Sequence, residues 1–459
     1  MSGDPNQQAR NQNRRSRERQ IDALGSGPMR LLGRSTAAGA ALLALAAPAV
    51  AQAAWSGGGN LSASVSDGFL DLGSDQSPNG RALALWRYVP SARARPAHLF
   101  AATAARTGGF RPARSRRIAR RGQVHFRGAM ADSGHGLIVF QELVRRPGPD
   151  THRIRAIRVL PSGALIAPFT VSPTRVDAFT PRVTELPRGR FAVAWRSLGG
   201  TVQVAKVRGA AREGPVRTIG ARSDQGFGIA SAGEDLAVVW HSEGVGARIT
   251  LWPGVGLPSA PQSLGERSTD LTVRGAGSTF VVGSTDAPDT GYAVRVQRFN
   301  AAGPLGGPAS YRTPLTTTGR ATPRVAVGPD GAALAVWPEE LSVGETVRRL
   351  MLAAARPPPA PFGPAEVRTT ERLTLSPEPA ALNARGGAVV AWSSEISDPG
   401  SDIVVRAIVR PPGGAFGAVT TIGSGTEPTV VLRPDGSAIV VYLRLVGRGE
   451  AVATKVYTP

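Results

Sequence analysis

Apolar residues along this chain come in short runs, each opened by a glycine and closed by an aromatic residue. Gly80 precedes Ala82-Leu83-Ala84-Leu85-Trp86, and Gly134 precedes Leu137-Ile138-Val139-Phe140, with six positions from glycine to aromatic in both. Gly189 and Trp195, Gly331 and Trp337, Gly386 and Trp392, and Gly436 and Tyr442 keep that offset. Gly233 stands seven before Trp240, and the run Thr279-Phe280-Val281-Val282 puts Gly283 in the aromatic position, six after Gly277. The eight anchors, Trp86, Phe140, Trp195, Trp240, Gly283, Trp337, Trp392 and Tyr442, follow one another at intervals of 43 to 55 residues. Short apolar runs bounded by glycine predict β-strands, and their recurrence predicts one supersecondary unit used many times.

Other features keep register with the anchors. Pro181, Pro323 and Pro428 each fall 14 residues before one, opening segments that close in Leu186-Pro187-Arg188-Gly189, Gly328-Pro329-Asp330-Gly331 and Arg433-Pro434-Asp435-Gly436. The last two are turn sequences, proline presetting one turn position and glycine supplying φ > 0. Phe110, Leu165 and Phe362 each lie 30 before the next anchor. A unit therefore reads strand, tight turn, strand ending in an aromatic, polar loop, third strand, then a Gly/Pro link. Thr201–Val207, Tyr292–Gln297 and Ile403–Val409 are typical third strands. Strands such as Ala388-Val389-Val390-Ala391 are apolar at every position, as expected when both faces of a sheet are covered.

Over residues 60–459 this pattern resembles the β-propeller superfamily, without matching one subfamily. No anchor is followed by the aspartate of a tryptophan-aspartate repeat, and Asp224-Gln225-Gly226, which has the Asp-x-Gly core of a bacterial sialidase box, has Arg222 in place of its serine and Gly228-Ile229 in place of its Thr-Trp. The resemblance implies an all-β fold of sheets packed around an axis. About eight blades are expected, with seven as the alternative count and two β-sandwiches as the alternative architecture. The chain stops directly after a third strand, Ala451–Val456, so the last blade lacks its outer strand. Asn60–Ser66 is expected to complete that blade and close the ring.

Residues 29–53 run from Arg30 and Arg34 through the alanine-rich stretch Ala37–Val50 to Ala49-Val50-Ala51 or Ala51-Gln52-Ala53. Charge, apolar segment and small-x-small site in that order read as a secretory signal peptide, the alternative being a retained anchor. Residues 1–28 form a disordered polar leader, untranslated if synthesis begins at Met29. The expectation is a secreted or envelope-associated protein, folded over 54–459, with no stable membrane span after cleavage.

Composition then narrows the chemistry. Among 459 residues, 56 Gly and 38 Pro demand many turns, and zero Cys excludes disulfides, thiolate metal sites and cysteine nucleophiles. The five histidines form no His-x-x-x-His pair, and no Gly-x-Ser-x-Gly elbow or phosphate-binding loop occurs, so no catalytic residue is nominated. The net charge of +21 is carried by arginine, Lys206 and Lys455 being the two lysines. Residues 81–127 hold 12 arginines and no acid. Arg111, Arg114, Arg116, Arg117, Arg120 and Arg121 are their densest group and the candidate patch for an anionic partner. Opposite in sign, four loops that follow anchors (241–247, 284–292, 338–346 and 393–402) carry nine acids and no Lys or Arg. Glu243, Asp286, Asp289, Glu339, Glu340, Glu395, Asp398 and Asp402 are the candidate ligand-binding residues among them, with Glu345 beside them. Ca²⁺ is the cofactor such oxygen donors would take; otherwise none is expected.

These readings converge on a secreted, non-enzymatic binding or scaffold propeller that recognises an extracellular ligand through loop faces. An extracellular protein, a polysaccharide or an anionic envelope polymer is the expected partner, rather than nucleic acid. The alternative is a glycoside hydrolase or polysaccharide lyase, which requires acids of different units to converge near the axis.

Overall fold

Gly80, Gly134, Gly331 and Gly436 stand at φ values of 83° to 90°, a region that only glycine enters without strain. Each turns its apolar run back on the preceding segment, so that Gln76 pairs with Ala82 and Met130 with Gly136. From these hairpins grow antiparallel sheets whose spatial order follows chain order. The computed structural model describes residues 54–65, 68–90, 97–119, 125–144, 151–174, 177–223, 226–242, 244–286, 292–312, 322–340, 348–374, 379–396, 403–447 and 449–459. The leader and the expected signal peptide, 1–53, lie outside them.

The unit of Trp86 consists of Gly68–Gln76, Ala82–Pro90, Ala97–Ala104 and Arg114–Ala119. The unit of Trp195 repeats it with Ala178–Leu186, Arg190–Ser197, Thr201–Arg208 and Ala211–Arg222. Toward the C-terminus the sheets run together because two strands serve two neighbours. Glu366–Thr374 pairs with both Arg348–Ala355 and Ala388–Glu395, and Thr420–Leu432 with both Ile403–Arg410 and Ala438–Val446. Among the described residues the one helical element is the 3-10 turn Pro187–Gly189. No helix there is long and apolar enough to cross a membrane.

Alternate residues of each second strand feed two different cores, which explains why those strands are apolar throughout. Leu83 and Leu85 pack with Phe126, Ile138 and Phe140 of the next unit. Ala82, Ala84 and Trp86 pack instead with Val431, Ile439 and Val441 of the unit of Tyr442. Val389 and Ala391 likewise face Val440 and Tyr442, whereas Val390 and Trp392 face Leu334 and Val336. A sandwich sheet has one covered face, so the two-sandwich alternative is overturned. The architecture is all-β and of the propeller type. Seven anchors are at most 3% exposed, each lodged against the preceding unit. Indole N–H groups find partners where the strand supplies them: Trp195 Nε1 donates to Gln203 Oε1 at 2.9 Å and Trp392 Nε1 to Glu371 Oε1 at 2.8 Å.

Gly283 is the exception, and its assignment as an anchor is corrected. Its hairpin closes with Ala276 opposite Thr279, a two-residue turn like that joining Ala232 to Asp235. Such a turn places the anchor seven after the glycine, at Ser284, as it places Trp240 seven after Gly233. Phe280 and Val282, which alternate with Gly283, face the preceding unit; a Cβ on Gly283 would meet Val325 of the following one at 2.9 Å. The N-terminal strand also differs in detail from the expectation. Ala54–Ser56 pairs regularly with the last strand, Gly449–Thr458, whereas Asn60 and Val65 make single bridges to Ala453 and Glu450.

Candidate functional site: the axial channel

The first strand of every unit has one edge hydrogen-bonded to its second strand and turns the other to a cavity of about 740 Å³. Gly68–Gln76, Phe126–Met130, Ala178–Leu186, Phe227–Ala232, Ser268–Ala276, Arg324–Val327, Ala380–Leu382 and the end of Thr420–Leu432 all contribute to its wall. Side chains replace the missing ladder bonds between these strands. Gln76 Nε2 donates to Leu432 O at 2.9 Å while its Oε1 accepts from Leu432 N at 2.6 Å, and Ser74 is hydrogen-bonded to Thr429. Thr184 Oγ1 and Ser231 Oγ join two further units at 2.8 Å.

Three acids from three units converge on this wall. Asp75 Oδ2 accepts the Met130 N–H at 2.7 Å, and Asp132 Oδ1 accepts the Asn79 N–H at 2.9 Å, so both carboxylates tie the units of Trp86 and Phe140 together. Glu185 lies beside them with Oε2 shut from solvent and without a hydrogen bond. Burial first, and then the charges of Asp75 and Asp132, push its carboxyl up to about 9, although the Asp132 N–H favours the charged form. Glu185 is therefore a neutral acid at pH 7.

Toward the end where first strands begin, the wall is cationic. Arg127, Arg182 and Arg324 stand opposite Val139, Ala194 and Val336, each the residue before an anchor. All three occupy one level of the channel, and Arg274 lines it deeper, opposite Val281. Backbone carbonyls accept from two of the guanidiniums: Arg127 Nη1 donates to Phe126 O at 2.7 Å, and Arg182 Nη1 to Pro181 O at 3.5 Å. Arg182 also lies over the Phe227 ring of the next unit, 5.9 Å from its centre. Arg127 ends the arginine-rich stretch 81–127 but lies outside its densest group, and Arg182 and Arg324 lie outside that stretch. Arg182 and Arg324 directly follow the in-register prolines Pro181 and Pro323, and Arg127 shares their 13-residue offset from an anchor.

The residues nominated from loop charge fare differently. Glu243, Asp289, Asp398 and Asp402, with Glu345, lie outside the described residues, and Glu340 is placed only as the end of a strand opposite Arg348. Asp286 is engaged by Arg295 Nη1 at 3.2 Å and by Ser268 Oγ at 2.8 Å. Glu395 faces Arg372 Nη1 at 3.7 Å, and Glu339 is buried opposite Arg349. Burial pushes the Glu339 carboxyl up and Arg349 partly offsets it. Cross-strand arginines thus meet these acids from strands that the loop count left out. Among the described residues no three His, Asp or Glu side chains are grouped to hold a metal. In the arginine patch, Arg111 Nη1 donates to Pro161 O at 3.0 Å and Arg116 Nη1 to Leu165 O at 3.1 Å, clasping the next unit. Arg114 is exposed, Arg117 is placed only within its strand, and Arg120 and Arg121 lie outside the described residues.

No family model matches the chain, and no curated protein does. Among solved structures it is similar to the WD40 domain of SCAP from fission yeast, at 9% identity over 86% of this chain and 97% of that one, with a TM-score of 0.49. It is similar also to the BP39L lectin from Burkholderia pseudomallei, at 14% identity over 73% and 95% of the two chains, with a TM-score of 0.48. An alpha-L-arabinanase from Penicillium chrysogenum, complexed with arabinobiose, aligns at 14% identity over 62% and 95%, with a TM-score of 0.33.

Proposed function

We propose that the chain is a secreted, non-enzymatic binding protein, an eight-bladed propeller whose ligand, an envelope or extracellular polymer, is taken at the axial channel. Eight blades are supported by eight hydrophobic clusters, each joining two consecutive units. The cluster around Trp86, with the Gln76–Leu432 and Ser74–Thr429 clasps, joins the last unit to the first. The observation that carries the binding reading is the channel itself. Polar and charged side chains from separate units meet on one cavity of about 740 Å³, within the range of ligand pockets, whereas the loop acids described are met by arginines of their own sheets. A carboxyl trio containing one neutral acid favours the hydrolase or lyase as second reading, but two of its members are occupied by backbone N–H groups.

The test is a pull-down of purified envelope polysaccharides by the protein at low and high ionic strength, repeated with Ala276→Trp. Ala276 lines the channel at a strand end, so an indole there obstructs it without removing a polar contact. Retention by the native protein and loss in the variant support the channel. Equal retention by both, or none by either, removes it; release of shortened products would move the assignment to the hydrolase or lyase.

A further inference from the structure

We propose that the seam between the last unit and the first holds a second binding site, one for a small planar aromatic acid. Complete units seal their neighbour's anchor with a fourth strand that runs flush against it. Gly220, in Ala211–Arg222, lies so near the Trp240 indole that a Cβ there would stand 2.7 Å from it, and Gly423, in Thr420–Leu432, is as close to the Tyr442 hydroxyl. Ile219 and Ile422 pack beside them in the same cores. Among the described residues the last unit sets no such strand against Trp86. Its outer strand is the three-residue Ala54–Ser56, after which the chain is held to Gly449–Thr458 by the single bridges of Asn60 and Val65 and a few scattered hydrogen bonds. A cavity of about 570 Å³, within the range of ligand pockets, is left between this segment and the first unit. It shares no lining residue with the axial channel.

Register makes one wall of this cavity aromatic. Tyr88 stands two residues after Trp86, hence on the same face of its strand, and Phe100 is the cross-strand partner of Trp86. The Trp86 and Phe100 rings lie parallel within 3°, their centres 5.6 Å apart. Trp86 is buried, whereas Tyr88, Phe100 and Phe110 are half-buried where they line the cavity. A parallel pair continued by further rings favours a flat ligand in an offset-stacked position over a saturated chain. Leu61 and Val65 form the wall on the side of the N-terminal segment. Arg111 is the one charged residue among the described residues that line the cavity, and no carboxylate does. Its Nη1 donates to Pro161 O at 3.0 Å, which fixes the exposed guanidinium at the cavity. With five donors in a planar fork, a guanidinium that has made one carbonyl bond still presents donors to a carboxylate. Charge complementarity therefore selects an anionic head for the planar body.

Calorimetry tests the site with 2-naphthoate as the probe, 2-naphthamide as its neutral counterpart and laurate as a saturated acid. One naphthoate should bind per chain. Naphthamide should bind about tenfold more weakly, the low end for loss of a hydrogen bond to a charged group because Arg111 is exposed. In R111Q the two naphthalenes should bind alike, and R111K should restore part of the difference. Ala63 is exposed and lines the cavity from the N-terminal segment, so Ala63→Trp fills the space without removing a side-chain contact and should abolish binding of both. Ser115→Trp, exposed on the side of the first unit, takes its place if that variant does not fold. R114Q, exposed and outside the cavity, should bind naphthoate as the native protein does. Absence of naphthoate binding, undiminished binding in the tryptophan variant, or equal affinity of the native protein for naphthoate and naphthamide overturns the proposal. Laurate bound more tightly than naphthoate overturns it as well, because the rings would then be selecting a chain.

Discussion

Glu185 makes the channel wall sensitive to pH in a direction the structure specifies. Its carboxyl, pushed up from 4.5 to about 9, keeps in the folded state a proton that the unfolded chain loses above its ordinary value. The stabilisation is complete below about pH 4.5 and disappears as pH rises toward about 9, the reverse of a salt-bridged carboxylate. Between those limits one proton separates the states, so stability falls by about 1.4 kcal/mol per pH unit. For the folded unit Gln52–Pro459, unfolding entropy near 60 °C sums to about 0.9 kcal mol⁻¹ K⁻¹, which converts the slope to roughly 1.5 °C per unit. Glu185→Gln keeps the shape and removes the titration. Differential scanning calorimetry of both proteins from pH 5 to pH 8 should show the native melting temperature falling relative to the variant by about 4 to 5 °C across that range. The difference between the two curves cancels every other titrating group. Parallel curves, or a variant less stable at pH 8 than at pH 5 by as much as the native protein, would refute a neutral Glu185.

Removing residues 54–65 should lower the melting temperature, because the last strand loses its pairing with Ala54–Ser56 and the Val65–Glu450 bonds, while Leu61 and Val65 leave the core shared by the first and last units. An unchanged melting temperature would show that the stability of the fold does not depend on this segment. Gly283→Ala should destabilise by about 1 to 3 kcal/mol through overpacking, since the new methyl meets Val325 Cγ1 at 2.9 Å and Thr272 Oγ1 at 3.0 Å. Chemical denaturation reads this directly, and a neutral effect would return Gly283 to the anchor position.

Much of the architecture was legible because it is imposed locally and repeated. A strand packed between two others must be apolar at every position, a tight turn must have glycine where φ is positive, and both demands recur in each unit. Third strands expected at Thr201–Val207 and Ile403–Val409 occur as Thr201–Arg208 and Ile403–Arg410 for the same reason. Register was lost where turn length changed. At Gly277 the loop shrank to two residues, the anchor moved to Ser284, and without an aromatic nothing in the sequence marked the shift. The N-terminal pairing was displaced toward Ala54 because its few residues carry no alternation that would fix a register.

The site was harder to read because charge in a sheet protein is neutralised across strands, not along the chain. Counting acids in the loop 284–292 set Asp286 apart as an unopposed carboxylate, yet Arg295, on the adjacent strand, meets it at 3.2 Å. The same rule in reverse hides the channel. Arg127, Arg182 and Arg324 are separated by 55 and 142 residues, and each sits in an unremarkable valine- or alanine-containing strand. Only the shared offset of 13 residues from an anchor brings them to one level, so a repeat protein must be read by columns of equivalent positions before its charges are summed. Columns that depart from apolar or small residues in several units at once are where such a chain departs from what folding alone requires. In this chain the column 13 residues before an anchor does so with arginine three times, at Arg127, Arg182 and Arg324, whereas a count of charges along single loops set apart Asp286, which a cross-strand arginine meets.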